Sequence, residues 1–239
     1  MIETAISYGF NDPYYNEENR YHTNKIPKRI QLSIWKYDIW KRNMDEIVNT
    51  IYHNAISIKA VHLPLDTMTQ RFKDISEMMG IINSTLLCNK FVVHPNKGID
   101  AFLHKFSGWS ESINLYIENF NYRKKKPLRN PIEIIEKIKD ISNDRIKMCF
   151  DTSHAEDGWF NHYILSSLLK HTGIIHLSNR IGRKSHLPFN IQNGDINLVS
   201  LVNQLKRRYK WEGLIVLEYL KDYHYKLQSN LEYLEKLVQ

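Results

Sequence analysis

The chain has 239 residues, 42% of them apolar and 25% charged, with a formal charge of +7. A chain of this length buries most of its unfolded surface, and the balance excludes a disordered or fibrous polypeptide. Only two cysteines occur, Cys88 and Cys149, which excludes a disulfide scaffold and fits a reducing compartment.

Short apolar runs, mostly rich in β-branched or aromatic residues, fall at 5–9, 30–35, 56–63, 91–94, 113–118, 146–151, 173–177 and 214–218. They have the length and composition of buried parallel strands. Longer amphipathic stretches at 39–53, 67–82, 131–141, 159–171, 197–209 and 223–238 predict helices. Pro131 sits just inside its helix start, where a missing N–H costs little. The stretch 11–29, with Tyr14, Tyr15 and Tyr21, reads as a loop. Eight strands at about 30 residues per unit predict a single (β/α)8 TIM-barrel domain over 1–239 with a degraded first helix. A doubly wound open sheet is the alternative, but no G-x-G-x-x-G follows the first strand and the chain has nine glycines. The opening Met1 to Ala5 lacks the basic and apolar regions of a signal peptide, and no apolar run approaches the roughly 20 residues that span a bilayer. A soluble, cytoplasmic chain without membrane contact is expected.

Six consecutive runs finish in a ligand-type side chain: His62, His94, Glu118, Asp151, His176 and Glu218. In a parallel barrel all strand C-termini meet at one face, so these six converge around one mouth. Three imidazoles and three carboxylates gathered there would repel or desolvate one another without a cation, and a divalent metal removes the conflict. His154, three residues beyond Asp151, and His186, in the loop after His176, extend the set.

The segments Val61-His62-Leu63-Pro64, Val93-His94-Pro95, Tyr116-Ile117-Glu118-Asn119, Phe150-Asp151-Thr152-Ser153-His154-Ala155, Ile175-His176-Leu177-Ser178, His186-Leu187-Pro188 with Gly194-Asp195-Ile196, and Val216-Leu217-Glu218 follow one another in order. Together they resemble the xylose isomerase-like TIM-barrel superfamily, and within it the apurinic endonuclease family 2 branch with its sugar isomerases and epimerases. The resemblance implies one metal between Glu118, Asp151, His176 and Glu218. In the endonuclease-like branch it implies a second metal on His62 and His94, with Glu118 bridging. A third would use His154 and an Asp-x-His pair, but this chain reads Lys184-Ser185-His186, and Asn179 stands where an Asp is usual. One or two divalent ions, zinc or manganese, are therefore expected at the C-terminal face of the strands.

Two chemistries suit these ligands. In an isomerase or epimerase of a small sugar-like or anionic substrate, Glu118 and Glu218 move a proton off and onto carbon through an enediolate, and His186 holds a substrate oxygen. In an endonuclease IV-like phosphodiesterase acting on abasic DNA, the ions stabilise the entering and leaving oxygens, which accounts better for His62 and His94. The isomerase ranks first, the phosphodiesterase second and a non-catalytic barrel third. Asn119, Lys124, Arg183 and Lys184 are the expected substrate contacts, the basic ones lying in loops that leave strand C-termini.

Overall fold

The computed structural model describes residues 1–9, 27–120 and 130–239. Its strands are β1 (Ile2–Tyr8), β2 (Arg29–Ser33), β3 (Ser57–His62), β4 (Lys90–Val93), β5 (Asn114–Glu118), β6 (Ile146–Asp151), β7 (Thr172–Leu177), β8 (Asn179–Ile181), β9 (Lys184–Leu187) and β10 (Gly213–Leu217). All but β8 and β9 close into one parallel barrel, with β10 returning to pair with β1 from Ile2–Gly213 to Ile6–Leu217. The predicted (β/α)8 architecture is the observed one. β8 and β9 form an antiparallel hairpin beyond the end of β7.

Around the barrel lie α1 (Tyr37–His53), α2 (Phe72–Leu86), α3 (Ile99–Ser107), α4 (Pro131–Ile141), α5 (His162–Leu169), α6 (Leu198–Arg207) and α7 (Leu227–Val238). The start of α4 follows its sequence: Asn130 Oδ1 accepts from the Ile132 N–H at 2.9 Å, and Pro131 fills the position that needs no donor. Among the described residues no helix is long and apolar enough to cross a membrane.

Successive strand residues face opposite sides of the sheet, and this alternation builds the site. Ala5, Ala60, Val92, Tyr116, Cys149, Ile174, Leu214 and Val216 form a separate buried cluster that fills the barrel interior. Their neighbours Val61, Val93, Ile117, Phe150, Ile175 and Leu217 pack in the larger cluster between strands and helices. Two residues beyond an interior position is again an interior position. Ala60 therefore leads to His62, Val92 to His94, Tyr116 to Glu118, Cys149 to Asp151, Ile174 to His176 and Val216 to Glu218, all pointing into the C-terminal mouth.

Five readings of the sequence are corrected, one being that the predicted helix 223–238 is a 3-10 turn, Lys221–Lys226, followed by α7. Helix α3 was not predicted, because the run from Pro95 to Gly98 reads as loop; yet Ile99, Phe102, Leu103 and Phe106 are all buried at helical spacing. Gly98, at φ +101°, makes the left-handed entry that few other residues accept. The predicted helix 67–82 is a 3-10 turn, Thr67–Thr69, followed by α2, which runs on to Leu86. The predicted helix 159–171 is a 3-10 turn, Asp157–Phe160, then α5, whose cap Asn161 accepts from the Tyr163 N–H at 3.0 Å. The β8–β9 hairpin occupies a segment read as loop. The stretch 11–29 lies mostly outside the described residues, as do Tyr14, Tyr15 and Tyr21, while Arg29 opens β2.

Candidate functional site

Glu118 stands at the centre of the mouth, 1% exposed. Its Oε2 lies 2.9 Å from His62 Nε2 and 3.4 Å from His94 Nε2, and its Oε1 lies 3.3 Å from His176 Nδ1. Glu218 approaches the same His176 Nδ1 at 2.7 Å. Asp151, fully buried, divides its carboxylate between two tasks. Its Oδ1 accepts from the Ser153 N–H at 2.8 Å, the Ser153 hydroxyl at 2.9 Å and the His154 N–H at 3.2 Å, which fixes the loop after β6. Its Oδ2 has no hydrogen-bond partner and faces His154 Nδ1 at 3.5 Å and His186 Nδ1 at 3.8 Å.

The ligand-type atoms fall into three groups, within each of which they lie within 4.8 Å of one another: His62, His94 and Glu118; Glu118, Asp151, His176 and Glu218; Asp151, His154 and His186. Glu118 and Asp151 each belong to two groups, so the three form one connected cluster. All seven residues expected as ligands, with His186, are brought together.

The protonation pattern shows how far this cluster is from comfortable without cations. Burial opposes the charge on Glu118, yet His176, His94 and His62 hold its carboxyl well below the ordinary range. Burial likewise opposes Glu218, but His176 brings it down to about 2. His176 is raised well above the ordinary imidazole value against its own burial, helped by Glu218 and Glu118. His62 is raised against burial by its hydrogen bond to Glu118. His94, stacked on Phe120 at 5.5 Å, is pushed by burial down to about 3 and is neutral. Of the buried side-chain atoms left without a hydrogen-bond partner, Asp151 Oδ2, Glu218 Oε2, His94 Nδ1 and His186 Nδ1 belong to this cluster. Nitrogen and carboxylate donors gathered with atoms this far from satisfied fit divalent ions in their midst.

Two ligand imidazoles are oriented from behind. His62 Nδ1 donates to the Leu63 carbonyl at 3.0 Å, which turns Nε2 to the cluster. His176 Nε2 donates to Gln31 Oε1 at 3.0 Å, which turns Nδ1 to the two glutamates. Such outer partners fix tautomer and ring direction. Gln31, fully buried on β2, escaped the sequence analysis; its signal is a polar residue between Ile30 and Leu32 inside a strand-like run. Changing Gln31→Leu is expected to weaken divalent-metal affinity about 10- to 100-fold while the barrel stays folded. Equilibrium dialysis against zinc checks this, and an unchanged affinity would refute the orienting role.

The cluster floors a cavity of about 240 Å³. His62, His94, Glu118, His154, His186 and Glu218 form its polar floor, and Ile34, Trp35 and Leu65, with Leu220, Lys221 and His224 after β10, line the rest.

The expected substrate contacts are placed elsewhere. Asn119 is fully buried, its amide donating to the Asp151 carbonyl at 3.1 Å and accepting from the Asp151 N–H at 2.8 Å, so it joins β5 to β6. Arg183 is exposed beside Gly182 at the tip of the hairpin. Lys184 turns away from the cluster: its Nζ donates to the Tyr223 hydroxyl at 3.2 Å and lies 5.1 Å from that ring's centre. Lys124, within the basic run, lies outside the described residues. Asn179 is no ligand either; it donates to the Ile196 carbonyl at 2.9 Å and accepts from the Arg180 and Ile196 N–H groups, organising the hairpin base.

The model of the family described as Xylose isomerase-like TIM barrel matches residues 109–237, just over half of the chain. No curated protein matches it. Among solved structures, 3-keto-D-glucoside 4-epimerase from E. coli superposes with a TM-score of 0.67 at 13% identity, covering 99% of this chain and 100% of that one. Endonuclease IV from Thermus thermophilus gives 0.61 at 12% identity over 99% and 98%. A xylose isomerase-like TIM-barrel protein from Mycobacterium smegmatis in complex with magnesium gives 0.65 at 12% over 88% and 83%. Identities this low speak for the fold alone, but the family match covers the strand ends that supply Glu118, Asp151, His176 and Glu218, and on it the chain belongs to the xylose isomerase-like TIM-barrel family.

Proposed function

We propose that the chain acts as one barrel domain, 1–239, and is a divalent-metal-dependent phosphoester hydrolase of the endonuclease IV kind. The observation that carries this reading is the joining of three ligand groups through Glu118 and Asp151. A proton-transfer enzyme working with one ion has no use for His62, His94 and His154 in a common cluster. Lys184, an obstacle in the sequence because it replaces an acidic ligand, is directed to Tyr223 and leaves the third group unhindered. Similarity to an endonuclease IV is consistent with this chemistry.

Bound ions would supply positive charge for the phosphoryl oxygens and make a nearby water more acidic. Glu118 and Asp151, each belonging to two groups, would help to hold more than one ion. Asp151 has one oxygen free for this while the other keeps the His154 loop in place. The apolar wall of Ile34, Trp35 and Leu65 limits the water that reaches the floor.

Proton transfer on a hydroxy-carbonyl sugar is the second reading. It is favoured by the approach of Glu118 and Glu218 to one imidazole, His176, which leaves both carboxylates at the floor of a small cavity. Similarity to a sugar epimerase agrees with it. Two assays on the zinc- or manganese-loaded chain separate the readings. Strand cleavage of duplex DNA with a single abasic site is expected. Absence of cleavage, together with uptake of solvent deuterium at carbon by a ketose, would reverse the order.

A further inference from the structure

The cavity rim carries a charge that neither chemistry above has used. Lys221 follows Glu218 by three residues and lines the cavity, half-buried. The chain that brings it there is anchored twice. The Tyr219 hydroxyl donates to Asn230 Oδ1 at 3.0 Å and accepts from the Phe189 N–H at 2.8 Å. The Leu220 N–H donates to the His186 carbonyl at 2.8 Å. The position of Lys221 is thus set relative to Glu218 on one side and His186 on the other.

Its ammonium makes no ion pair among the described residues, whereas the nearby Lys184 is engaged by Tyr223. The other nitrogen base on this rim, His224, donates Nε2–H to the Tyr219 carbonyl at 3.1 Å, and burial lowers its pKa, so it stays uncharged at neutral pH. Trp35 and Leu65, which also line the cavity, offer no counter-charge. The floor carboxylates belong to the ligand cluster and are already opposed by imidazoles. Lys221 is therefore a cation held at the cavity lining by its anchored backbone and in no ion pair with a described carboxylate.

We propose that Lys221 selects substrates by holding an anionic oxygen group, of phosphate chemistry, that is not the group reacting at the floor. This rests on the cavity being the substrate site, as proposed above, and not on which bond is broken there. A phosphate flanking the cleaved one in a polynucleotide and the phosphate of a sugar ester share this chemistry. A charge-assisted contact of this kind is expected to be worth about 10- to 30-fold in affinity.

The test compares the metal-loaded wild type with Lys221→Met and Lys221→Arg, measuring dissociation constants for D-ribulose, D-ribulose 5-phosphate and an abasic-site DNA duplex. Metal content, read on the same samples, is expected to be equal in all three proteins. Lys221→Met is expected to lose about 10- to 30-fold toward at least one phosphorylated probe, with no change toward D-ribulose, and Lys221→Arg to restore most of it. If the flanking phosphate of DNA is the partner, the dependence of log K on log salt falls in magnitude by about one in Lys221→Met. If the sugar ester is the partner, only D-ribulose 5-phosphate responds. Equal binding of both phosphorylated probes by wild type and Lys221→Met overturns the assignment, as does a wild type that binds them no tighter than D-ribulose. Loss of phosphate preference in Lys221→Met without DNA cleavage by any of the three proteins would sink the hydrolase reading and leave this one standing.

Discussion

Replacing Glu118 by Gln is expected to remove most of the bound metal and at least about a thousandfold of turnover. The substitution keeps the side chain's shape, so the barrel should close as before. What it removes is the charge that His62 Nε2, His94 Nε2 and His176 Nδ1 all face, at 2.9, 3.4 and 3.3 Å. An amide can present one oxygen to this ring of nitrogens but must turn its NH₂ toward the rest. Because Glu118 belongs to two of the three ligand groups, its loss weakens both, and only Asp151, His154 and His186 keep a complete set. Removing a preorganised charge at a reacting centre commonly costs about 10² to 10³ in rate, and loss of metal adds to that. The metal-free variant should also be less stable than the metal-free parent by about 1–3 kcal/mol, since buried His62 loses its charged partner while His176 keeps Glu218 at 2.7 Å. Elemental mass spectrometry, turnover and denaturant titration on the same preparations check all three. Metal retained at the parental level with activity within tenfold would remove Glu118 from the centre of the mechanism.

The barrel was legible because its strands are short apolar runs in regular succession, and periodicity is the signal that a buried parallel strand cannot hide. Helix α3 was not legible, for a physical reason that lies in its approach. Pro95, Asn96 and Gly98 have strong local preferences for turns, and they precede a helix of only nine residues. The hairpin was hidden differently. Its strands are three and four residues long, and what holds them is the buried amide of Asn179 and the guanidinium of Arg180, which reaches the Ala155 carbonyl and Asp157. Tertiary hydrogen bonds of this sort leave no periodic trace.

The ligand cluster was legible for the same reason as the strands, since a chemistry-bearing residue closing each run lies in register with the others. Substrate contacts were a different matter. Lys184 and Arg183 leave the correct end of the barrel, and simple strand alternation would put Lys184 and His186 on one face. The left-handed backbone at His186 breaks that rule: Lys184 is turned to Tyr223, while His186, two residues on, stands with its Nε2 3.0 Å from His154 Nε2. His186 holds this place with φ +56°, a strained value for a residue with a side chain, as functional positions sometimes require. Asn119 sits beside Glu118 in sequence, and on a strand that adjacency means the opposite face. Lys221, in contrast, is three residues beyond Glu218 in a 3-10 turn, where no simple period says which way it points. Direction, rather than proximity along the chain, separated the residues that reach the cavity from those that do not.

Stripping the metal with a chelator is expected to lower the melting temperature by roughly 10 °C, and the deficit should widen as pH rises above 6.5. The size follows from linkage: an ion held at a thousand times its dissociation constant adds about 4 kcal/mol, and a domain of this size moves about 2–4 °C per kcal/mol. The pH dependence follows from the metal-free cluster. Glu118 is depressed on folding, so its contribution is present above the ordinary value of 4.5 and is lost as pH falls through its lowered pKa. His176 is raised, so its contribution is full below 6.5 and is lost as pH climbs through its elevated pKa. His94, pushed down to about 3 by burial, must shed a proton on folding and so costs stability as pH falls below 6.5. Metal-free protein is therefore best placed near 6.5 and weakens above. The loaded protein behaves in the opposite sense, because an ion requires His62 and His176 with a free nitrogen and must expel their protons to bind. Titration of zinc into metal-free protein near pH 6.5 should release about one to two protons per chain, seen as a binding enthalpy that changes with the ionisation enthalpy of the buffer. Melting curves of the two forms that run parallel from pH 6 to 8, or a binding enthalpy indifferent to buffer, would mean that the imidazoles facing Glu118 are already neutral and that the carboxylate is held by something other than their charge.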